Sequence, residues 1–118
     1  MKYDERMDKE CVALCDAMNR IPGIQTYESC CGHGTSDFRI WFGVTSLENL
    51  PILLYYLDPC HVGFRWHCEA GTDCAMSPVR FHISSECKGQ EAYEQAERIA
   101  VAINNYMDAN PKGLKNKT

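Results

Sequence analysis

Residues 38–44, Phe-Arg-Ile-Trp-Phe-Gly-Val, decide the fold of this chain. Apolar and polar side chains alternate along them, so that Phe38 and Ile40 share one face while Arg39 and Trp41 share the other. Alternation with a period of two is the pattern of a strand that is buried on one face only. The stretch therefore predicts a strand in a sheet that packs its apolar face against other elements.

Similar patterns lie on both sides of this stretch. The predicted strands are residues 24–30, 38–44, 62–68 and 79–84. Apolar side chains spaced three and four residues apart predict helices at residues 7–21, 46–57 and 92–110. The order α-β-β-α-β-β-α predicts an α+β fold, with a four-stranded, mainly antiparallel sheet and helices packed on one face. We expect a single domain at residues 1–110 and a flexible basic tail at residues 111–118.

The composition is that of a globular chain with a slight excess of negative charge. Its 118 residues suffice for one domain, and 12 Lys and Arg against 16 Asp and Glu give a net charge of −4. Any nucleic-acid or anion site on such a chain has to be local. No run approaches the roughly 20 apolar residues of a membrane helix, and the charged N-terminus lacks the apolar stretch of a secretory signal. We therefore expect a cytoplasmic protein with no membrane partner, whose eight cysteines are reduced thiols.

The segment Cys31-Gly-His-Gly-Thr-Ser-Asp37 is the most unusual loop of the sequence. Its two glycines permit a positive φ, and it places a thiol and an imidazole two residues apart. If the middle helix crosses over so that the second and third strands run parallel, three further metal-ligating residues reach the same end of the sheet. The resulting zinc hypothesis comprises Cys31, His33, Cys60, His61 and Cys87.

Two other interpretations of this loop stay open. Cys31 and His33 are a candidate catalytic pair, because an imidazole can lower the pKa of a neighbouring thiol and exposed backbone N–H groups can hold an anion. Alternatively, Cys30 packs inward as a small apolar residue and Gly32-His33-Gly34 is a tight hairpin turn. The sequence contains no Cys-x-x-Cys pair, so cysteine spacing does not decide among the three interpretations.

The polar face of the predicted sheet is a second candidate site. Alternation places these basic and aromatic residues of three strands on it: Arg39, Trp41, Arg65, His67, Arg80 and His82. Guanidinium groups pair with phosphates or carboxylates and an indole stacks on a base, so the face predicts binding of an anionic small molecule or RNA. The alternatives are that carboxylates of the helices pair with the arginines, or that a second copy covers the face in a homodimer. Glu28 points inward in the register that buries Ile24, so the first strand is either an edge with a bulge or part of a site.

One short segment resembles a known family. Thr26-Tyr-Glu-Ser-Cys-Cys-Gly-His-Gly34 is similar to the Thr-x-x-Ser-Cys-x-Gly segment of the tRNA wybutosine-synthesizing methyltransferase family. The resemblance implies action on a modified guanosine in tRNA with S-adenosylmethionine, and its matching positions Ser29, Cys30 and Gly32 would belong to the ligand-binding site. His33 stands where that family tends to carry arginine. The chain also resembles short proteins of bacterial and phage genomes, which implies no activity.

Three classes of function follow from the sequence. The first is a binding module that holds an anionic ligand or nucleic acid on the polar face, next to the loop. The second is an enzyme, either through Cys31 and His33 or through methyltransferase-like modification of RNA. The third is a homodimeric interaction protein without a small ligand.

Overall fold

A computed structural model describes residues 8–72 and 79–110. In these ranges the elements are α1 (Lys9–Asn19), β1 (Ile24–Cys30), β2 (Asp37–Val44), α2 (Leu50–Tyr55), α3 (Pro59–Val62), β3 (Trp66–Gly71), β4 (Arg80–Lys88) and α4 (Gln90–Ala109). The predicted α+β class is confirmed, and the predicted order holds apart from the additional short α3. None of the helices in the described ranges is long and apolar enough to cross a membrane.

The four strands form one antiparallel sheet in the order β1-β2-β4-β3. Because β4 lies between β2 and β3 and runs opposite to both, β2 and β3 point in the same direction, as predicted. Asp37 at the start of β2 pairs with Lys88 at the end of β4, and Trp66 at the start of β3 pairs with Ser85. The β1–β2 loop, the start of β3 and the end of β4 therefore lie at one end of the sheet.

The core lies between one face of the sheet and the helices α1 and α4, which also pack on each other. Phe38, Ile40 and Phe42 of β2 are fully buried there, as their alternation predicts. Leu14 and Met18 bring the apolar stripe of α1 onto them. Full burial of a side chain of this size stabilises a fold by about 1.5–3 kcal/mol, so this face anchors both long helices.

The segment between β2 and β3 differs from the prediction. The helix expected to reach Leu57 ends at Tyr55, and a second helical turn, α3, follows it. This turn forms because the Asp58 carboxylate accepts the Cys60 N–H and Pro59 occupies the first helical turn. The strand predicted at residues 62–68 was placed too early, since α3 occupies its first residue and β3 begins at Trp66.

The prediction for β1 was more accurate than the prediction for the segment between β2 and β3. The pairing of β1 with β2 shifts between Thr26 and Glu28, which confirms an edge strand with a bulge. β4 begins at Arg80 and continues to Lys88, beyond the predicted end at residue 84. The first residues of the predicted N-terminal helix, part of the loop that follows β3, including Cys74, and the tail at residues 111–118 lie outside the described residues.

Candidate metal centre

The β1–β2 loop is a turn in which three successive residues have positive φ. These are Gly32 (81°), His33 (52°) and Gly34 (85°). The N–H groups of Thr35 and Ser36 both donate to the Gly32 carbonyl oxygen, at 3.0 and 2.9 Å, and close the turn. His33 is the one non-glycine residue with positive φ in the described part of the chain, a conformation that costs an L-residue about 1–2 kcal/mol. The closed turn holds the backbone of His33 in this strained conformation.

Asp8 joins the start of α1 to this loop. It occupies the N-cap position of α1, yet its side chain makes no capping hydrogen bond to the helix. Its Oδ2 instead accepts the Cys31 N–H at 2.8 Å. This hydrogen bond is the main reason that the pKa of Asp8 lies below its ordinary value, with burial opposing it and the charge of His33 adding to it. Asp8 is therefore a carboxylate fixed at the base of the loop.

Asp8, Cys31 and His33 offer a carboxylate, a thiol and an imidazole to one point. One ligand atom from each lies within 4.8 Å of the other two. Cys31 Sγ is 3.9 Å from His33 Nδ1, and His33 Nε2 is 3.9 Å from Asp8 Oδ2. Cys31 is 4% exposed, whereas the His33 side chain is 70% exposed. The group thus has a buried sulfur side and an imidazole side open to solvent, and we refer to this candidate site as the metal site.

The sulfur of Cys31 accepts two hydrogen bonds. The His33 N–H donates to it at 3.4 Å, and the hydroxyl of Tyr93 on α4 donates to it at 3.7 Å. Burial raises the pKa of the Cys31 thiol despite these donors. The hydrogen bond with Cys31 is the largest cause that raises the pKa of Tyr93, to about 12, so Tyr93 remains a protonated donor.

The other residues of the zinc hypothesis are not part of this group. His61 stacks on the Tyr55 ring at 3.5 Å between centroids, and Cys60 lies beside it on α3 as an exposed thiol. Cys87 lies within the last residues of β4 and so at the predicted end of the sheet, but its Sγ accepts a hydrogen bond from Gln95 on α4. Among the described residues, the structure brings only Cys31 and His33 of the predicted set together and adds Asp8.

The neighbouring residues of the loop stabilise its backbone. Cys30 Sγ accepts the Gly32 N–H at 3.4 Å, so Cys30 is neither deeply buried nor directed at the metal site. Gly32 itself is required where it stands, because a Cβ there would lie 3.0 Å from the Asp37 carbonyl oxygen. Ser29 is half-buried on β1, opposite Ile40. The catalytic interpretation of Cys31 meets an obstacle here, since a buried thiol with a raised pKa is a poor source of thiolate.

The polar face of the sheet is open, since α1 and α4 pack on the opposite face. We call it the open face, and the predicted site residues on it are Arg39, Trp41, His67, Arg80 and His82. Carboxylates of the same face or the adjoining strand ends lie beside the cations in the pairs Arg39–Asp37 (3.4 Å), His67–Glu86 (2.7 Å), Arg80–Glu28 (3.8 Å) and His82–Glu69 (3.3 Å). The carboxylates that were expected on helices lie on the strands.

The predicted cluster of three arginines does not form. Arg65 precedes β3 instead of lying on a strand, and its charge acts on Asp58, whose pKa is lowered first by the Cys60 N–H and also by Arg65. Arg39 and Arg80 lie toward opposite ends of the face, with Trp41 and His82 between them. The centre of the face is a shallow depression of about 290 Å³, lined by Trp41, Glu69, Gly71, Arg80 and His82 among others.

Sequence reasoning missed Asp8, a residue of the metal site, and Tyr93, which donates a hydrogen bond to its sulfur. Asp8 was counted within the N-terminal helix, and Tyr93 was assigned to the apolar stripe of the last helix. An aspartate at the start of a helix is a capping signal, and it could have drawn attention to Asp8. Nothing in the local sequence distinguishes Tyr93 from a core residue.

Compared with known proteins, the chain matches no family model, no curated protein and no solved structure. The resemblance of residues 26–34 to the wybutosine-synthesizing methyltransferase family therefore stays a prediction.

Proposed function

We propose that the protein binds a divalent transition-metal ion, first of all zinc, through Asp8, Cys31 and His33. The observation that carries the proposal is the convergence of three different ligand atoms within 4.8 Å of one another. Zinc binds sulfur at about 2.3 Å and nitrogen or oxygen at about 2.0–2.2 Å, which puts the ligands of one tetrahedral ion about 3.3–3.8 Å apart. The 3.9 Å separations of His33 from Cys31 and from Asp8 involve different nitrogens of the ring, of which a single ion binds one, so the three ligand atoms would draw together from separations of up to 4.8 Å. Binding in this geometry needs a movement of up to about 1 Å.

The chemistry of the donor set supports the same proposal. The Cys31 thiol lies beside the His33 imidazole, and an oxygen of the Asp8 carboxylate lies within 4.8 Å of the sulfur, so two groups with lone pairs surround its proton. A metal ion replaces that proton, because a thiolate is the form of cysteine that binds metals. Thiolate and imidazole are ligands that suit zinc, and the two anionic ligands neutralise its double charge.

The backbone around the site supports it as well. His33 keeps a left-handed conformation that the closed turn enforces, and Asp8 faces the loop instead of capping its own helix. The left-handed backbone of His33 and the missing side-chain cap at Asp8 each have a local energetic cost. Strained residues such as His33 cluster at ligand sites. Metal binding accounts for the two features together.

Cobalt titration and native mass spectrometry test the proposal. The untagged protein is purified under reducing conditions without chelator, and we expect one metal ion per chain. Cobalt should give a thiolate-to-metal charge-transfer band that zinc abolishes. Cys31→Ser and His33→Ala should each weaken binding by more than the about 10- to 100-fold that loss of a ligand's hydrogen-bond partner costs, because each removes a direct ligand. Cys60→Ser and His67→Ala are the matched controls, since both residues are exposed and lie outside the group.

Two outcomes would contradict the proposal. A wild-type protein that carries no metal and gives no cobalt band would remove it altogether. Loss of the metal in Cys60→Ser, with retention in Cys31→Ser, would move the site to α3.

A further inference from the structure

Tyr93 reaches the metal site from a different part of the fold. It lies in the first turn of α4, where its N–H donates to the Gly89 carbonyl oxygen. Its ring packs beside Phe38 at 6.2 Å between centroids, and its hydroxyl points at Cys31 Sγ from 3.7 Å. The packing of the ring and the direction of the hydroxyl are thus fixed by separate contacts.

The sulfur of Cys31 has an ordered environment. The His33 N–H and the Tyr93 hydroxyl donate to it, and Asp8 and His33 supply the other two ligand atoms of the metal site. Hydrogen bonds to a charged acceptor are roughly twice as strong as those between neutral groups, so both donors gain strength when the thiol becomes a thiolate. Groups that donate to a metal ligand orient it and tune the metal.

We propose that Tyr93 is a positioning residue of the metal site. Its hydroxyl donates to the metal-bound thiolate of Cys31 and holds the sulfur in the direction of the metal. This inference rests on the proposed metal-binding function and extends it to a residue 62 positions away in the sequence. Metal binding would then also affect the first turn of α4, because Gly89 before this helix lies against Gly34 of the loop.

The test compares wild-type protein with Tyr93→Phe, which removes the hydroxyl and keeps the ring that packs on Phe38. We expect the variant to bind one metal ion per chain, with affinity reduced about 10- to 100-fold, the range found when a hydrogen-bond partner of a metal ligand is removed. The cobalt charge-transfer band should shift, because the thiolate loses a hydrogen bond. Tyr106→Phe is the matched control: Tyr106 is a tyrosine of the same helix that packs beside Tyr56, and its variant should leave affinity and band unchanged.

Hydrogen exchange provides a second readout that needs no variant. Zinc should slow amide exchange in the first turn of α4 of the wild-type protein and leave its last turn unchanged. Tyr93→Phe should lose most of this protection.

The outcomes separate the inference from the function on which it rests. A Tyr93→Phe protein with wild-type affinity and band position would overturn the positioning role and leave the metal site intact. Complete loss of metal from a folded variant would show that Tyr93 is itself a ligand, which also overturns the role. Absence of metal in the wild-type protein would overturn both proposals.

Discussion

The metal site and the open face of the sheet both combine imidazoles with carboxylates and arrange them in opposite ways. At the metal site, Asp8 and two residues of the β1–β2 loop bring three ligand atoms within 4.8 Å of one another, and the sulfur among them is buried. The open face spreads its arginines and histidines over three strands, and carboxylates accompany them in side-by-side pairs. Three groups therefore face one another at the metal site, whereas each basic group of the open face named above faces a carboxylate of its own. The types of residue at a surface therefore predict what it binds less well than the directions in which the backbone points their side chains.

The largest expected effect distinguishes two glycines of the loop. Gly32→Ala should destabilise the fold by about 2 kcal/mol or more, because the new Cβ meets the Asp37 carbonyl oxygen at 3.0 Å and the residue keeps a positive φ. Gly34→Ala has the same kind of strain but open space around its Cβ, so we expect about 1 kcal/mol. Urea denaturation of both variants, with and without zinc, measures the difference.

Metal affinity should follow the same order as stability in these two variants. Gly32→Ala displaces the backbone between Cys31 and His33, so we expect it to weaken zinc binding more than Gly34→Ala. If Gly32→Ala and Gly34→Ala lost the same amount of stability and the same amount of zinc affinity, the close approach of Gly32 to Asp37 would have no special part in forming the site.

A smaller effect concerns the two buried thiols of α1, Cys11 and Cys15. Burial raises the pKa of Cys11 to about 12 and that of Cys15 to about 11, so both stay protonated in the folded protein while the unfolded thiols ionise near pH 9. Their contribution to stability is fully present below pH 9 and is lost as the pH rises toward 12. Each thiol lowers the free energy of unfolding by about 1.4 kcal/mol per pH unit between pH 9 and its own folded-state pKa, about 12 for Cys11 and about 11 for Cys15.

Urea denaturation between pH 8 and pH 10.5 checks this expectation. The double variant Cys11→Ala, Cys15→Ala is less stable at pH 8, because it loses buried sulfur contacts, but its stability should fall less steeply above pH 9. Parallel slopes for the variant and the wild type would show that other groups, such as lysines and tyrosines, carry the alkaline transition.

The parts of the structure that could be predicted depend on neighbours in sequence. Alternation along β2 gave the buried and the open face, and the apolar stripes gave α1 and α4 to within a few residues. The strand prediction was wrong at residues 62–65, because the capping aspartate and the proline before them form a helical turn that outweighs their weak alternation. Cys31 and His33 were identified because they share a loop. Asp8 and Tyr93 contact Cys31 from 23 and 62 positions away, and such contacts depend on packing that periodicity does not encode.

The smallest expected effect concerns the open face. A surface ion pair stabilises a fold by less than about 1 kcal/mol, so Glu69→Gln should hardly change stability. It should change what the face can bind, because His82 then loses its carboxylate neighbour. We expect a short single-stranded RNA to bind the wild-type protein more weakly than about 100 μM at physiological salt. The double variant Glu28→Gln, Glu69→Gln should bind it several-fold tighter.

Tryptophan fluorescence can follow this titration, since Trp41 lines the open face while Trp66 is 2% exposed and should respond little. Micromolar RNA binding by the wild type, lost in Arg39→Ala, Arg80→Ala, would mean that the ion pairs open to admit phosphates. The face would then be a site of the kind that its residue types suggested, and its pairing in the free protein would be a resting state. Weak binding that tightens only when carboxylates are removed would instead assign the pairs the role of keeping polyanions off the sheet.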